Sequence, residues 1–126
     1  MVNITPLVKQ GAQIIQSYSD HSFRVSGRLF QGAVFVLPEE SFAWAYTSAF
    51  EDLTAEDFDI LAARAEGLDV VLLGCGGQGK FLGSALKTAL KAKGLNVEVM
   101  DSGAASRTYN VLMAEGRRVA AALLPF

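Results

Sequence analysis

The chain has one cysteine, Cys75, and one histidine, His21. A lone thiol closes no intramolecular disulfide, and one thiol plus one imidazole cannot supply a zinc site from this chain alone, so no metal is expected. Charge is scarce as well. Charged residues make up 19%, and eleven basic against thirteen acidic side chains leave a net charge of −2. That balance offers no long-range attraction to a phosphate backbone, which sets nucleic acid aside as a partner. No apolar run approaches the roughly 20 residues needed to cross a bilayer, so membrane insertion is not expected. The opening Met-Val-Asn-Ile-Thr-Pro lacks the basic start and hydrophobic stretch of a signal peptide, and a cytoplasmic location is expected. Repeats, low-complexity tracts and a linker are missing too.

What is present is a chain of 126 residues with 51% hydrophobic content, enough to fill one core. The pattern predicts a single α/β domain over 1–126, with an antiparallel β meander in 1–50 and a β-α core in 51–126. In the first part Phe23 and Val25 alternate with polar neighbours, and Leu29 to Leu37 is rich in β-branched and aromatic residues. Phe42, Trp44 and Tyr46 alternate with alanines. This period of two is that of strands. Ser19 to Ser22, Gly27 and Pro38 to Ser41 mark the turns. The three aromatics on one face read as core; left uncovered, they would make a partner-binding surface, with Trp44 at its centre.

After Asp52 the period lengthens. Thr54 and Asp57 are spaced as a helix start, followed by an apolar face of Phe58, Leu61, Ala62 and Ala65 and a stop at Gly67. Asp69 to Leu73 is an almost wholly apolar run, as in a parallel strand buried on both faces. A helix is predicted from about Leu82 to Lys93, with Leu82, Ala85, Leu86, Ala89 and Leu90 on one stripe. Lys87, Lys91 and Lys93 lie near its negative end, before Gly94. A strand follows at Asn96 to Met100. Ser102 is placed to cap a third helix with Ala105, Tyr109, Leu112 and Met113 inside, Gly116 ends it, and Arg118 to Leu124 is the last strand. This half is β-α-β-α-β. Right-handed crossovers place its first two strands side by side and parallel, and the meander must cover an edge or a face.

Two clusters have the makings of a site. Gly74-Cys-Gly-Gly-Gln-Gly79 matches G-x-G-x-x-G after a buried strand, Lys80 adds charge, and Asp101 ends the next strand where a ribose-binding carboxylate would stand. Lys80 and Phe81 separate the last glycine from the helical stripe, which favours glycines that relieve sterics in a tight loop over a dinucleotide cradle. Cys75 in that loop has no evident catalytic partner and reads as an inert, partly buried thiol. The second cluster, Ser102, Gly103, Ser106, Arg107 and Asn110, surrounds a positive helix end beyond the carboxyl edge of its strand. Arg107 there is suited to clamp a carboxylate or phosphate. The structural alternative makes Ser102 a cap, Arg107 a partner of Asp101 or Glu115, and Asn110 a loop clasp. The paired Arg117 and Arg118 read as a salt-bridged edge. If the first two strands of the core are neighbours, their exits aim two helix tips into one hollow.

The run from Met100 to Leu124, together with Gly32, Trp44, Asp52-Leu-Thr54 and Leu72-Leu-Gly-Cys-Gly76, strongly resembles a small domain family of unknown function. That family includes the mitochondrial respiratory complex I assembly factor 3 and the adipogenesis-associated domain protein. The resemblance covers nearly the whole chain. It implies a three-layer α/β domain with a mixed central sheet and an added β layer, and a partner-binding role without assigned catalytic residues. The family often has threonine at Cys75 and cysteine at Ser106, which sets thiol chemistry aside at both. No mitochondrial targeting extension is expected, and the chain looks like a bacterial-type member.

The expectation is therefore a non-catalytic binding or assembly module, linked to respiratory complex I biogenesis, with a protein partner and no cofactor. The alternative is a small-anion or nucleotide-binding protein or enzyme. It would use Gly74, Cys75, Gly76, Gly77, Gln78 and Lys80 together with Asp101, Ser102, Ser106, Arg107 and Asn110 at the N-terminus of the 103–115 helix.

Overall fold

The computed structural model describes residues 2–3, 11–64 and 66–126. Strands β1 (Val2–Asn3), β2 (Ile15–Ser19), β3 (Ser22–Val25) and β4 (Arg28–Gln31) form an antiparallel sheet in chain order. The remaining strands are β5 (Val34–Val36), β6 (Ser41–Ala43), β7 (Val70–Cys75), β8 (Val97–Met100) and β9 (Val119–Leu124). They build a second, mixed sheet in the order β6-β5-β9-β7-β8. β7 runs parallel to both β8 and β9, and β5 is antiparallel to β9 and β6. The helices are α1 (Asp59–Arg64), α2 (Ser84–Ala92) and α3 (Ser102–Ala114).

Period-two patterning explains the three layers. Along β9, Val119, Ala121 and Leu123 face one way and pack with Leu72, Val34 and Val36 against Ala105, Tyr109 and Met113 of α3 and Ile15, Phe23 and Val25 of the first sheet. Ala120, Ala122 and Leu124 face the other way and join Phe35, Val71 and Leu73 under Trp44, Phe58, Leu61 and Leu90. All six residues of β9 are buried, as a strand covered on both faces requires. The three alanines let the covering layers approach the sheet closely.

The expected meander divides between the two sheets. At Gly32 the backbone takes φ +86, a region that favours glycine, and the chain leaves the first sheet to add β5 and β6 to the edge of the second. It thus covers both a face and an edge. Trp44 lies beyond the end of β6 and is buried, with its indole N–H donating to Asp57 O at 3.1 Å. That burial removes it as an open docking residue. The helix expected at Thr54 begins as a 3-10 turn over Ala55–Phe58, with the Thr54 amide donating to Asp57 Oδ2 at 2.8 Å. Ala65, placed on its inner face, lies outside the described residues.

α2 starts at Ser84 instead of Leu82, and Ala85 is exposed. Ser102 is not the cap of α3. Asp101 is, its carboxylate accepting from the Ala104 amide at 2.8 Å. Arg118 precedes β9 and pairs with Glu39, while Arg117 lies 3.8 Å from Asp69.

Candidate functional site

β7 and β8 do exit side by side, with Gly74 in register with Met100. Gly74 is where the sheet meets α3. A β-carbon there would stand 2.7 Å from Ser102 Oγ and 2.8 Å from Ser102 Cα, so only glycine allows this approach. Ser102, wholly buried, then ties three segments together. Its hydroxyl donates to Leu124 O at 2.6 Å and accepts from the Gly76 amide at 2.9 Å, and its own amide donates to Gly76 O at 2.8 Å.

The other polar residues of this helix end also serve the chain. Ser106 Oγ donates to Ser102 O at 2.8 Å. Asn110 clasps β2 from α3, accepting from the Ile15 amide at 2.9 Å and donating to Ile15 O at 2.8 Å. The Tyr109 hydroxyl donates to Gln13 O, and burial holds its pKa well above the usual phenol value. Arg107, exposed, donates to the Tyr18 hydroxyl at 2.8 Å; Asp101 and Glu115 form no ion pair with it. Among the described residues no group of three or more His, Cys, Asp or Glu side chains is placed to hold a metal ion.

The glycine loop turns a different way. The Cys75 thiol donates to Gln78 O at 3.0 Å, and burial raises its pKa, which keeps the reactive thiolate scarce at neutral pH. Gly77, Gln78, Gly79 and Lys80 are exposed. Lys80 pairs with Glu51, and that hydrogen bond holds the Glu51 carboxyl below its ordinary value. α2 begins only at Ser84, with Gly83 at its N-cap, so Lys80 to Gly83 separate it in the chain from Gly79. The structure therefore joins Gly74, Gly76, Asp101 and Ser102, while Lys80 leans toward the 50–52 turn and Arg107 toward the first sheet.

Sequence reasoning passed over Phe81. The residue is 99% exposed, far more than any other large apolar residue of the described chain. It forms part of the wall of a recess of about 380 Å³, together with Phe50, Glu51, Leu53, Leu82, Ala85 and Leu86. The available signal was its place between Lys80 and Gly83, outside the helical stripe, where an aromatic has no inner face to join.

Residues 15–124 match the model of a family described as protein of unknown function (DUF498/DUF598). An uncharacterized protein of Rhodobacter capsulatus is 38% identical over 115 residues, covering 91% of this chain and 86% of that protein. The NADH dehydrogenase (ubiquinone) 1 alpha subcomplex assembly factor 3 of Bos taurus is 33% identical over 114 residues, covering 90% of this chain. The match spans 61% of that bovine relative's length. A crystal structure of a Bordetella parapertussis protein superposes with a TM-score of 0.82 at 37% identity, over 93% of this chain and 98% of the other.

Proposed function

This chain belongs to the DUF498/DUF598 family of unknown function, and from that premise we propose that it is a non-catalytic module that binds a protein partner during assembly of a respiratory complex. Relatives named as NADH dehydrogenase assembly factors support an assembly-related role. The observation that carries the binding role is Phe81, a large apolar residue exposed to solvent on the wall of a mostly apolar recess. Exposed hydrophobic area next to other apolar side chains supports an interaction surface. Among the described residues no helix is long and apolar enough to cross a membrane.

The test compares affinity capture by the parent chain and by Phe81→Ser under native conditions. The parent retains a stable protein partner and the variant loses it while melting at the same temperature. Equal capture by both removes Phe81 from the role. A parent that captures nothing while turning over a metabolite overturns the module reading.

A second reading, a small anion at the glycine loop, draws on the exposed Gly77, Gln78, Gly79 and Lys80. Inorganic phosphate or NAD would then raise the melting temperature in proportion to the logarithm of its concentration. A flat titration of both ends that reading.

A further inference from the structure

We propose that the outer edge of β4 takes an extended, acidic segment of another protein as an added strand. This goes beyond the reading of Phe81 and uses a different surface. Strand β4 ends the first sheet and pairs with β3 alone. Val25 and Arg28 flank a two-residue turn at Ser26 and Gly27, both with positive φ, and the Gly32 amide donates to His21 O at 2.8 Å. Hydrogen-bonded and non-bonded pairs alternate along an antiparallel ladder, so the bonded pairs are Val25–Arg28, Phe23–Phe30 and His21–Gly32. Leu29 and Gln31 lie between them and turn their N–H and C=O groups away from β3. Both residues are exposed, Leu29 at 44%, and the backbone of neither is hydrogen-bonded among the described residues.

The other sheet edges are less open. On β8 the Asn96 carbonyl accepts from the Val71 amide, which turns the backbone of Val97 outward, and Val97 is only 2% exposed. On β6, where the Leu37 amide donates to Glu40 O, the outward residue is Ser41; it is buried, and its carbonyl accepts from Arg28 Nη1 at 3.4 Å. β1 is two residues long. An open edge is a template for a further strand, and native chains blunt it with proline, lysine, a bulge or a cover. The β4 run Arg-Leu-Phe-Gln has no proline or lysine, and it pairs with β3 in unbroken register.

Charge selects the occupant. From His21 to Pro38 there is no acidic residue, while Arg24 and Arg28 stand on the β3–β4 hairpin. Neither forms an ion pair among the described residues, and each guanidinium donates to a backbone carbonyl instead. Arg28 is exposed on the edge strand itself, and Arg24 lies opposite Leu29. A second copy pairing through β4 would bring the same arginines to the seam, with no carboxylate from its own hairpin to meet them. A foreign segment with acidic residues at alternate positions meets Arg28 with opposite charge, and its apolar residues on the other face lie beside Leu29. Backbone bonds give the attachment and the alternate side chains the selectivity.

The probes are short synthetic peptides: valine alternating with glutamate, the same with lysine in place of glutamate, and the glutamate peptide with methylated backbone nitrogens. Followed by the amide resonances of the full chain, the glutamate peptide shifts the Leu29 and Gln31 amides and slows their hydrogen exchange, and the other two peptides do neither. Leu29→Pro removes one outward N–H while leaving the ladder to β3 intact; it weakens binding by about tenfold, the size expected of one hydrogen bond. Arg28→Glu moves the preference to the lysine peptide. Equal binding of the methylated peptide, shifts centred away from β4, or an Arg28→Glu chain that still prefers glutamate overturns the proposal. If Leu29→Pro does not fold, the exchange of the two amides in the parent decides. A parent that dimerises through β4 in sedimentation equilibrium makes the occupant a second copy and overturns the foreign segment. Phe81→Ser binds the glutamate peptide as the parent does. If the parent binds no peptide while Phe81→Ser still abolishes capture of another protein, the edge proposal falls and the Phe81 reading stands. Peptide binding at β4 with equal capture by parent and Phe81→Ser supports the edge and removes Phe81.

Discussion

Two regions leave neighbouring parallel strands, β7 and β8, and treat their side chains in opposite ways. At the start of α3, Ser102, Ser106, Tyr109 and Asn110 are buried, and each gives its polar atoms to the backbone of this chain. In the loop before α2, Gly77 to Phe81 are exposed, and the largest apolar side chain is the most exposed of all. The polar cluster that has the composition of a site acts as a clasp between layers, while the apolar residue faces solvent. Composition alone does not separate these roles. Burial does, because a buried polar group without a partner is costly and a buried apolar one is favourable.

The contrast predicts a ladder of effects. Asn110→Ala should be most severe, because it strips both backbone groups of Ile15 of their buried partners. A loss of about 2–4 kcal/mol is expected by denaturant titration, from roughly 1–3 kcal/mol for each unsatisfied group. A loss under about 1 kcal/mol would mean that water replaces the clasp and the contrast is overstated. Gly74→Ala should cost about 1–3 kcal/mol as α3 is pushed from the sheet.

Tyr109→Phe gives up one hydrogen bond, about 1 kcal/mol, and also changes the pH response. Because burial raises the Tyr109 pKa in the folded state, the phenol's contribution is complete below its unfolded value. It is lost as pH climbs past about 10. Melting curves of the parent should therefore fall there more steeply than those of Tyr109→Phe; parallel curves would show that the ring opens to solvent. Phe81→Ser should shift stability least, within about 0.5 kcal/mol, as for a surface residue. A shift as large as that of Asn110→Ala would place Phe81 in the folded core and dissolve the comparison.

Much of the architecture was legible because it follows from local rules. The Thr54 and Asp57 spacing predicted the helix start that their hydrogen bond makes, and the apolar run ending at Leu73 predicted a parallel strand that pairs on both sides. Other features were misplaced for want of spatial partners. Ser102 has the chemistry of a cap, yet Asp101 takes that task because the Ser102 hydroxyl is drawn inward by Leu124 and Gly76. Trp44 reads as core, with an open docking surface as the alternative until its burial and its indole N–H donated to Asp57 O remove that alternative. Arg107 reads as an anion clamp until Tyr18, from the other end of the chain, meets it.

By itself the sequence determined the order of strands and helices, the two faces of each buried strand and the places where glycine must turn the chain. Those depend on neighbours a few residues apart, through steric limits on the backbone and the alternation of apolar side chains. Tertiary structure alone decided that the first four strands form a separate sheet, that Asn110 reaches Ile15 across 95 residues, and that Phe81 stays outside. The bonds and burial behind these outcomes join segments distant in the chain, and they exist only once the layers have packed.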